Sequence, residues 1–193
     1  KVYIYIYICF VGICYRLRRW DVGEPVFAEP VAVGGEIMMV TVKGKKLLLN
    51  LENMILKEAM LDVKGLVYAK PLVVSTTEAV LTTTEGEVLR VDLTTNAVME
   101  RVRCGKAMLM SPLQMGRGMY IVCSSSGSVY CVADGKADAV YSCSGAIFSN
   151  PILLDDCILF GCRDDKLVIL QYRLVVCFDS APEIEGILVS FPL

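Results

Sequence analysis

The side chains with the most chemical reach in this chain are nine cysteines, two aspartate pairs and a few basic turns, and histidine is absent altogether. Without histidine there can be no Ser-His-Asp or Cys-His nucleophilic pair, no His-ligated zinc and no histidine pH switch. The cysteines are Cys9, Cys14, Cys104, Cys123, Cys131, Cys143, Cys157, Cys162 and Cys177. They form no CxxC pair; the closest, Cys9/Cys14 and Cys157/Cys162, stand five apart, which is not a zinc-knuckle spacing. Most lie in apolar runs such as Ile121-Val122-Cys123 and Tyr130-Cys131-Val132, where a reduced thiol packs as a small hydrophobe. Reduced thiols in this number fit a reducing compartment, so a cytoplasmic location is expected.

Asp155-Asp156 and Asp164-Asp165 carry enough oxygen to be weighed as a calcium site. As turn residues flanking one strand, the aspartates would instead support their own backbone, and that role is expected. Arg163 is expected in an ion pair with a neighbouring aspartate. Lys43, Lys45 and Lys46 read as a solvated turn. Ser124-Ser125-Ser126-Gly127 reads as a hairpin turn and not a phosphate loop. Met38, Met39, Met108, Met110, Met115 and Met119 are expected to fill irregular gaps in a core. No catalytic, cofactor-binding or metal-binding residue is assigned, and no cofactor is expected.

The elements that must carry these residues are β-strands. The chain has 193 residues, 55% apolar and 21% charged, with a net charge of −2. That composition excludes intrinsic disorder and argues against a nucleic-acid partner, which calls for a basic footprint. The apolar stretch Val2 to Tyr15 is shorter than the ~20 residues a spanning helix needs. Its arginines, Arg16, Arg18 and Arg19, follow it, whereas a secretory signal carries its charge in front. Tyr3, Tyr5 and Tyr7 alternate with Ile4, Ile6 and Ile8, a pattern that predicts a strand; a membrane partner is not expected.

An internal repeat organises the rest. Pro30, Pro71, Pro112 and Pro151 are separated by 41, 41 and 39 residues, and Pro192 lies 41 further on. Three residues before them stand Phe27, Tyr68, Leu109, Phe148 and Val189. Gly23, Gly65, Gly105, Gly145 and Gly186 precede the prolines by six or seven residues. A second column, Lys43-Gly44, Glu85-Gly86, Ser126-Gly127 and Asp164-Asp165, falls between two apolar runs in each repeat. Such pairs supply the positive φ that a tight hairpin requires. After each turn one face of an alternating strand is apolar: Leu47/Leu49, Leu89/Val91, Tyr130/Val132 and Val168/Leu170.

Each unit of about 41 residues thus holds four short strands: around the proline, before the turn (Ile37 to Val42, Met119 to Cys123), after it, and a shorter last run (Val98 to Val102, Ala139 to Cys143). The segment Asn50 to Met60 reads as strand plus turn. One four-stranded unit cannot cover both of its faces, so neighbours must stack on it. The arithmetic is that of an all-β, β-propeller fold with WD40-like four-stranded blades, here an incomplete arc of four to five. The expected divisions are 1–22 (end of a preceding blade), 23–64, 65–104, 105–144, 145–185 and 186–193 (start of a further blade).

The segment 145–170, GAIFSNPILLDDCILFGCRDDKLVIL, resembles a repeat of the PQQ-like, quinoprotein-type β-propellers. The segment 65–93, GLVYAKPLVVSTTEAVLTTTEGEVLRVDL, is similar to the same repeat. Arg19-Trp20-Asp21-Val22-Gly23-Glu24-Pro25-Val26-Phe27 resembles the junction between two such blades. Within that superfamily the Gly161-Cys162-Arg163-Asp164-Asp165 turn looks most like the C-terminal propeller of the acyl-CoA-synthetase-family enzymes that activate beta-alanine. The resemblance implies a non-catalytic scaffold attached to adenylation and carrier domains, with its protein partners upstream or among further blades of the same protein. Asp92 and Thr95 match the family's blade-docking motif, but Asn96 replaces its glycine and Glu100 its tryptophan. The vicinal cysteines of true quinoproteins are missing, which argues against bound PQQ. Two alternatives are a PQQ-dependent dehydrogenase fragment and a stand-alone propeller that binds a peptide across its loop face; the polar turns disfavour the latter.

Overall fold

The computed structural model describes the backbone of residues 1–10, 13–173 and 183–189, and the side chains of 1–7 and 16–172. Among the described residues all regular elements are strands. The first sheet pairs β1 (Tyr3–Phe10) with β2 (Ile13–Asp21). Four sheets of four strands follow. The first holds β3 (Val31–Val33), β4 (Glu36–Val40), β5 (Lys45–Asn50) and β6 (Ile55–Met60). The second holds β7 (Leu72–Val73), β8 (Glu78–Thr82), β9 (Glu87–Asp92) and β10 (Val98–Arg103). The third holds β11 (Leu113–Gly116), β12 (Met119–Cys123), β13 (Ser128–Ala133) and β14 (Lys136–Ser142). The fourth holds β15 (Ile152–Leu154), β16 (Cys157–Cys162), β17 (Lys166–Arg173) and β18 (Glu183–Val189).

Every sheet is an antiparallel meander, the order that short hairpin turns enforce. Each proline sits just before the first strand of its sheet, where its missing N–H breaks no ladder. Residues 186–189, expected to open a further blade, instead continue the outer strand of the fourth sheet, paired with β17 from Leu167↔Val189 to Leu170↔Gly186. Pro192, and residues 174–182 and 190–193, lie outside the described residues.

The sheets stack face to face, and the side-chain alternation of each strand decides which neighbour it meets. Leu47, Leu49 and Met39 face the first sheet, packing on Ile4, Ile6 and Trp20. Met38 and Leu48 face the other way, with Ala79 and Leu93 of the second blade. Val80 and Val88 meet Tyr120, Val122 and Val132 of the third. Ile121, Val129 and Cys131 meet Ile158, Phe160, Val168 and Leu170 of the fourth. The core is therefore a series of inter-blade layers. The first strands converge: Val31, Ala32, Leu72 and Val73, with Pro30, Pro71 and Pro112, border one cavity of about 340 Å³. Stacked four-stranded blades around a common axis are the architecture of a β-propeller, here an arc of four full blades and a two-stranded sheet. Among the described residues no ladder joins the first sheet to the fourth blade.

Candidate functional site

The turns between second and third strands lock the blades together. In three of them a hydroxyl heads the turn and accepts from the N–H four residues on: Thr41 from Lys45 (2.9 Å), Thr83 from Glu87 (3.2 Å) and Ser124 from Ser128 (3.0 Å). Cys162 stands in that column in the fourth turn. The residue three further on has positive φ each time: Gly44 (86°), Gly86 (75°), Gly127 (93°) and Asp165 (61°). Each turn also bonds to the adjoining loop, as in Thr84 N–H to Leu66 O and Ser125 N–H to Ala107 O. The serine run 124–126 is therefore a hairpin turn, with Ser124 buried and its Oγ 3.0 Å from that of Ser126.

The aspartate pairs stand at opposite ends of β16 and do not form one site. Asp155, with φ 50°, and Asp156 make the exposed turn before it. Asp164 accepts from Ser144 Oγ and, at 2.7 Å, from Lys166 Nζ. Hydrogen bonding from the Cys162 thiol, from Lys166 and from Ser144 holds its carboxyl well below the usual carboxylate range. Arg163 differs from expectation. Its guanidinium lies over the Phe148 ring, 4.5 Å from the centroid, because Phe148 is exposed at the adjoining loop and Asp164 is engaged by Ser144 and Lys166.

The basic turn also divides. Lys43 is exposed, and Lys45 donates to Val22 O (3.0 Å) and pairs with Glu58 (3.3 Å). Lys46, by contrast, is buried, its ammonium donating to Leu93 O of the second blade. Strand alternation explains this: Lys46 occupies the column that holds Val88, Val129 and Leu167 in the other blades, and that column faces the next blade. A second buried charge, Glu87, carried no sequence signal beyond its place after a turn glycine. It accepts from Arg101 and, at 3.2 Å, from Arg103, while Arg101 also reaches Asp62 Oδ2 (2.9 Å).

Six cysteines are described, all free. Burial pushes the thiols up, to about 11 at Cys104 and about 12 at Cys123; burial and then the Cys162 thiol push Cys143 to about 12. Protonated thiols of this kind are poor nucleophiles at neutral pH. The side chains of Cys9, Cys14 and Cys177 lie outside the described residues. Met38, Met108 and Met110 are fully buried between blades. The docking-type residues form a turn: Asp92 Oδ1 accepts from Thr94 and Thr95 N–H, both at 2.7 Å, Asn96 takes φ 63°, and Glu100 pairs with Arg90 at 3.5 Å.

Three surfaces remain open. At the turn end, Phe27 (66% exposed) stacks on Tyr68 at 5.5 Å, and Phe148 is half exposed beyond them. Equivalent residues one repeat apart bridge here, Lys70 to Glu29 (2.6 Å) and Ser111 N–H to Asn150 Oδ1 (2.9 Å). The polar turns gave no hint of these aromatics, which sit in the longer loops beside them. On the fourth blade, the face that would meet a next blade carries Ile152 (57% exposed), Leu154 (58%), Leu159, Leu167 and Ile169. At the opposite end from the turns, clefts of about 630 Å³ and about 860 Å³ open between blades one and two and between blades two and three.

No protein-family model matches the sequence, and no curated protein matches it. Solved structures do match the fold. The chain is similar to BamB from Moraxella catarrhalis at 13% identity and a TM-score of 0.63, covering 81% of this chain and 53% of that one. It is also similar to the WD40 β-propeller domain of Doa1 at 15% identity and a TM-score of 0.65, covering 78% and 55%. The chain thus spans about half the length of each structure.

Proposed function

We propose that this chain is a non-catalytic interaction scaffold whose principal docking surface is the open face of the fourth blade, and that the occupant is a further propeller blade of the same protein. One observation carries the reading. The strand columns that hold Val31 and Val33 in the first blade and Val88 in the second, all buried towards the next blade, present Ile152, Leu154 and Leu167 to solvent in the fourth. Exposed aliphatic surface of this continuity favours association. The parent protein is then an amino-acid-activating, adenylate-forming, carrier-dependent enzyme whose catalytic domains lie outside these 193 residues; the resemblance of segment 145–170 supports that context. Cytoplasmic residence accords with the free thiols.

The test is sedimentation velocity of the chain between about 1 and 100 μM. Self-association is expected, with Leu154→Lys plus Leu159→Lys restoring the monomer without lowering the melting temperature. A wild-type chain that stays monomeric across the range refutes the reading. A second reading, peptide binding at the turn end, is favoured by the exposure of Phe27 and Phe148; it predicts that Phe27→Ser, and not the leucine changes, abolishes partner capture.

A further inference from the structure

Lys46 is charged where the other blades carry Val88, Val129 and Leu167, and it is 5% exposed. A lysine at such a position is costly to bury, and a single hydrogen bond to the second blade uses only part of its donor capacity. It lies on the wall of the cleft between the first and second blades, a volume of about 630 Å³ that suits a small ligand. One of its three N–H groups is used, on Leu93 O. Asn96 lines the same cleft, and its Oδ1 is buried without a hydrogen-bond partner, although most such atoms are satisfied. Val33, Met38 and Leu48 add apolar lining.

We propose that this cleft is a binding site for a small organic carboxylate that also carries a hydrogen-bond donor. The carboxylate meets the Lys46 ammonium, and a hydroxyl or amine on the ligand donates to Asn96 Oδ1. The carbon skeleton lies on the aliphatic wall. Glu36, held by Lys57 at 3.8 Å, and Glu58, held by Lys45, border the cleft and exclude a ligand of high negative charge. Burial disfavours the lysine's charged form, so an incoming anion restores what desolvation removes.

The experiment is an NMR titration of the full chain, following the methyl groups of Val33, Leu48, Leu93 and Thr77. The probes are lactate (one carboxylate and a hydroxyl), propionate (one carboxylate only) and inorganic phosphate. Saturable shifts with lactate, at least threefold tighter than with propionate, are expected. Lys46→Met, which fills the column as an apolar residue and should fold, is expected to weaken lactate at least tenfold. Asn96→Gly, compatible with the positive φ, is expected to erase the preference for lactate over propionate. Equal shifts in wild type and Lys46→Met, phosphate as tight as lactate, or no saturable shift with any probe by about 20 mM overturns the proposal.

Discussion

Gly127→Ala should destabilise the chain far more than Gly118→Ala, although both glycines sit in turns of the third blade. Gly127 has φ 93° and Gly118 has φ 72°, so an alanine at either meets left-handed strain of about 1 kcal/mol. The surroundings differ. A Cβ at Gly127 would stand 2.5 Å from Gly145 O and 2.9 Å from Cys143 O, both backbone atoms of the loop to the fourth blade. At Gly118 nothing lies within 4 Å. Relieving the first overlap means moving a loop whose Cys143 N–H already bonds Gly127 O at 2.8 Å. Overpacking of that kind adds roughly 1–3 kcal/mol, which brings Gly127→Ala to roughly 2–4 kcal/mol against about 1 for Gly118→Ala. Urea unfolding of both variants, compared at unchanged m-value, reads the difference. If the two variants fall within about 0.5 kcal/mol of each other, the inference that this turn is clamped by the next blade is wrong.

Other outcomes follow from the same contacts. Glu87→Leu leaves Arg101 and Arg103 without their buried acceptor and should cost about 2–4 kcal/mol, whereas Glu87→Leu with Arg101→Met should recover part of it; a double-mutant cycle by urea unfolding measures the coupling. Asp164 titrates below its ordinary value in the folded chain, so its contribution is present above the unfolded pKa and is lost as pH falls through the folded one. The stability gap between wild type and Asp164→Asn should therefore shrink between about pH 5 and pH 2. Lys46 has the opposite sense. Burial lowers its folded pKa, the unfolded chain binds more protons, and stability should rise with pH as the folded pKa is passed. Lys46→Met should flatten that rise in thermal melts between pH 7 and 10. Cys123 and Cys143, with thiols pushed to about 12, should react with a thiol reagent at pH 8 only after denaturation.

The repeat was legible because each blade must solve the same local problem. A hairpin needs positive φ at one position, hence Gly44, Gly86, Gly127 and the tolerated Asp165. A strand entering a sheet can take a proline, hence Pro30, Pro71, Pro112 and Pro151. A strand buried between neighbours needs apolar side chains at period two. These demands are written into short stretches of chain, and together they determined an all-β propeller arc. What lies across an interface has no such local imprint. The sequence placed Lys46 in a turn with Lys43 and Lys45; stacking of the second blade put it in a buried layer beside Leu93. Arg163 stands next to two aspartates in sequence, yet the loop returning from the third blade brings Phe148 under its guanidinium. The column of Phe27, Tyr68 and Phe148 repeats in the sequence, but its exposure is set by the converging loops, which leave Phe27 and Phe148 at the surface and Tyr68 half-buried. Tertiary stacking decided these positions, because burial of a side chain depends on which blade arrives opposite it, and that blade is some 40 residues away in the chain.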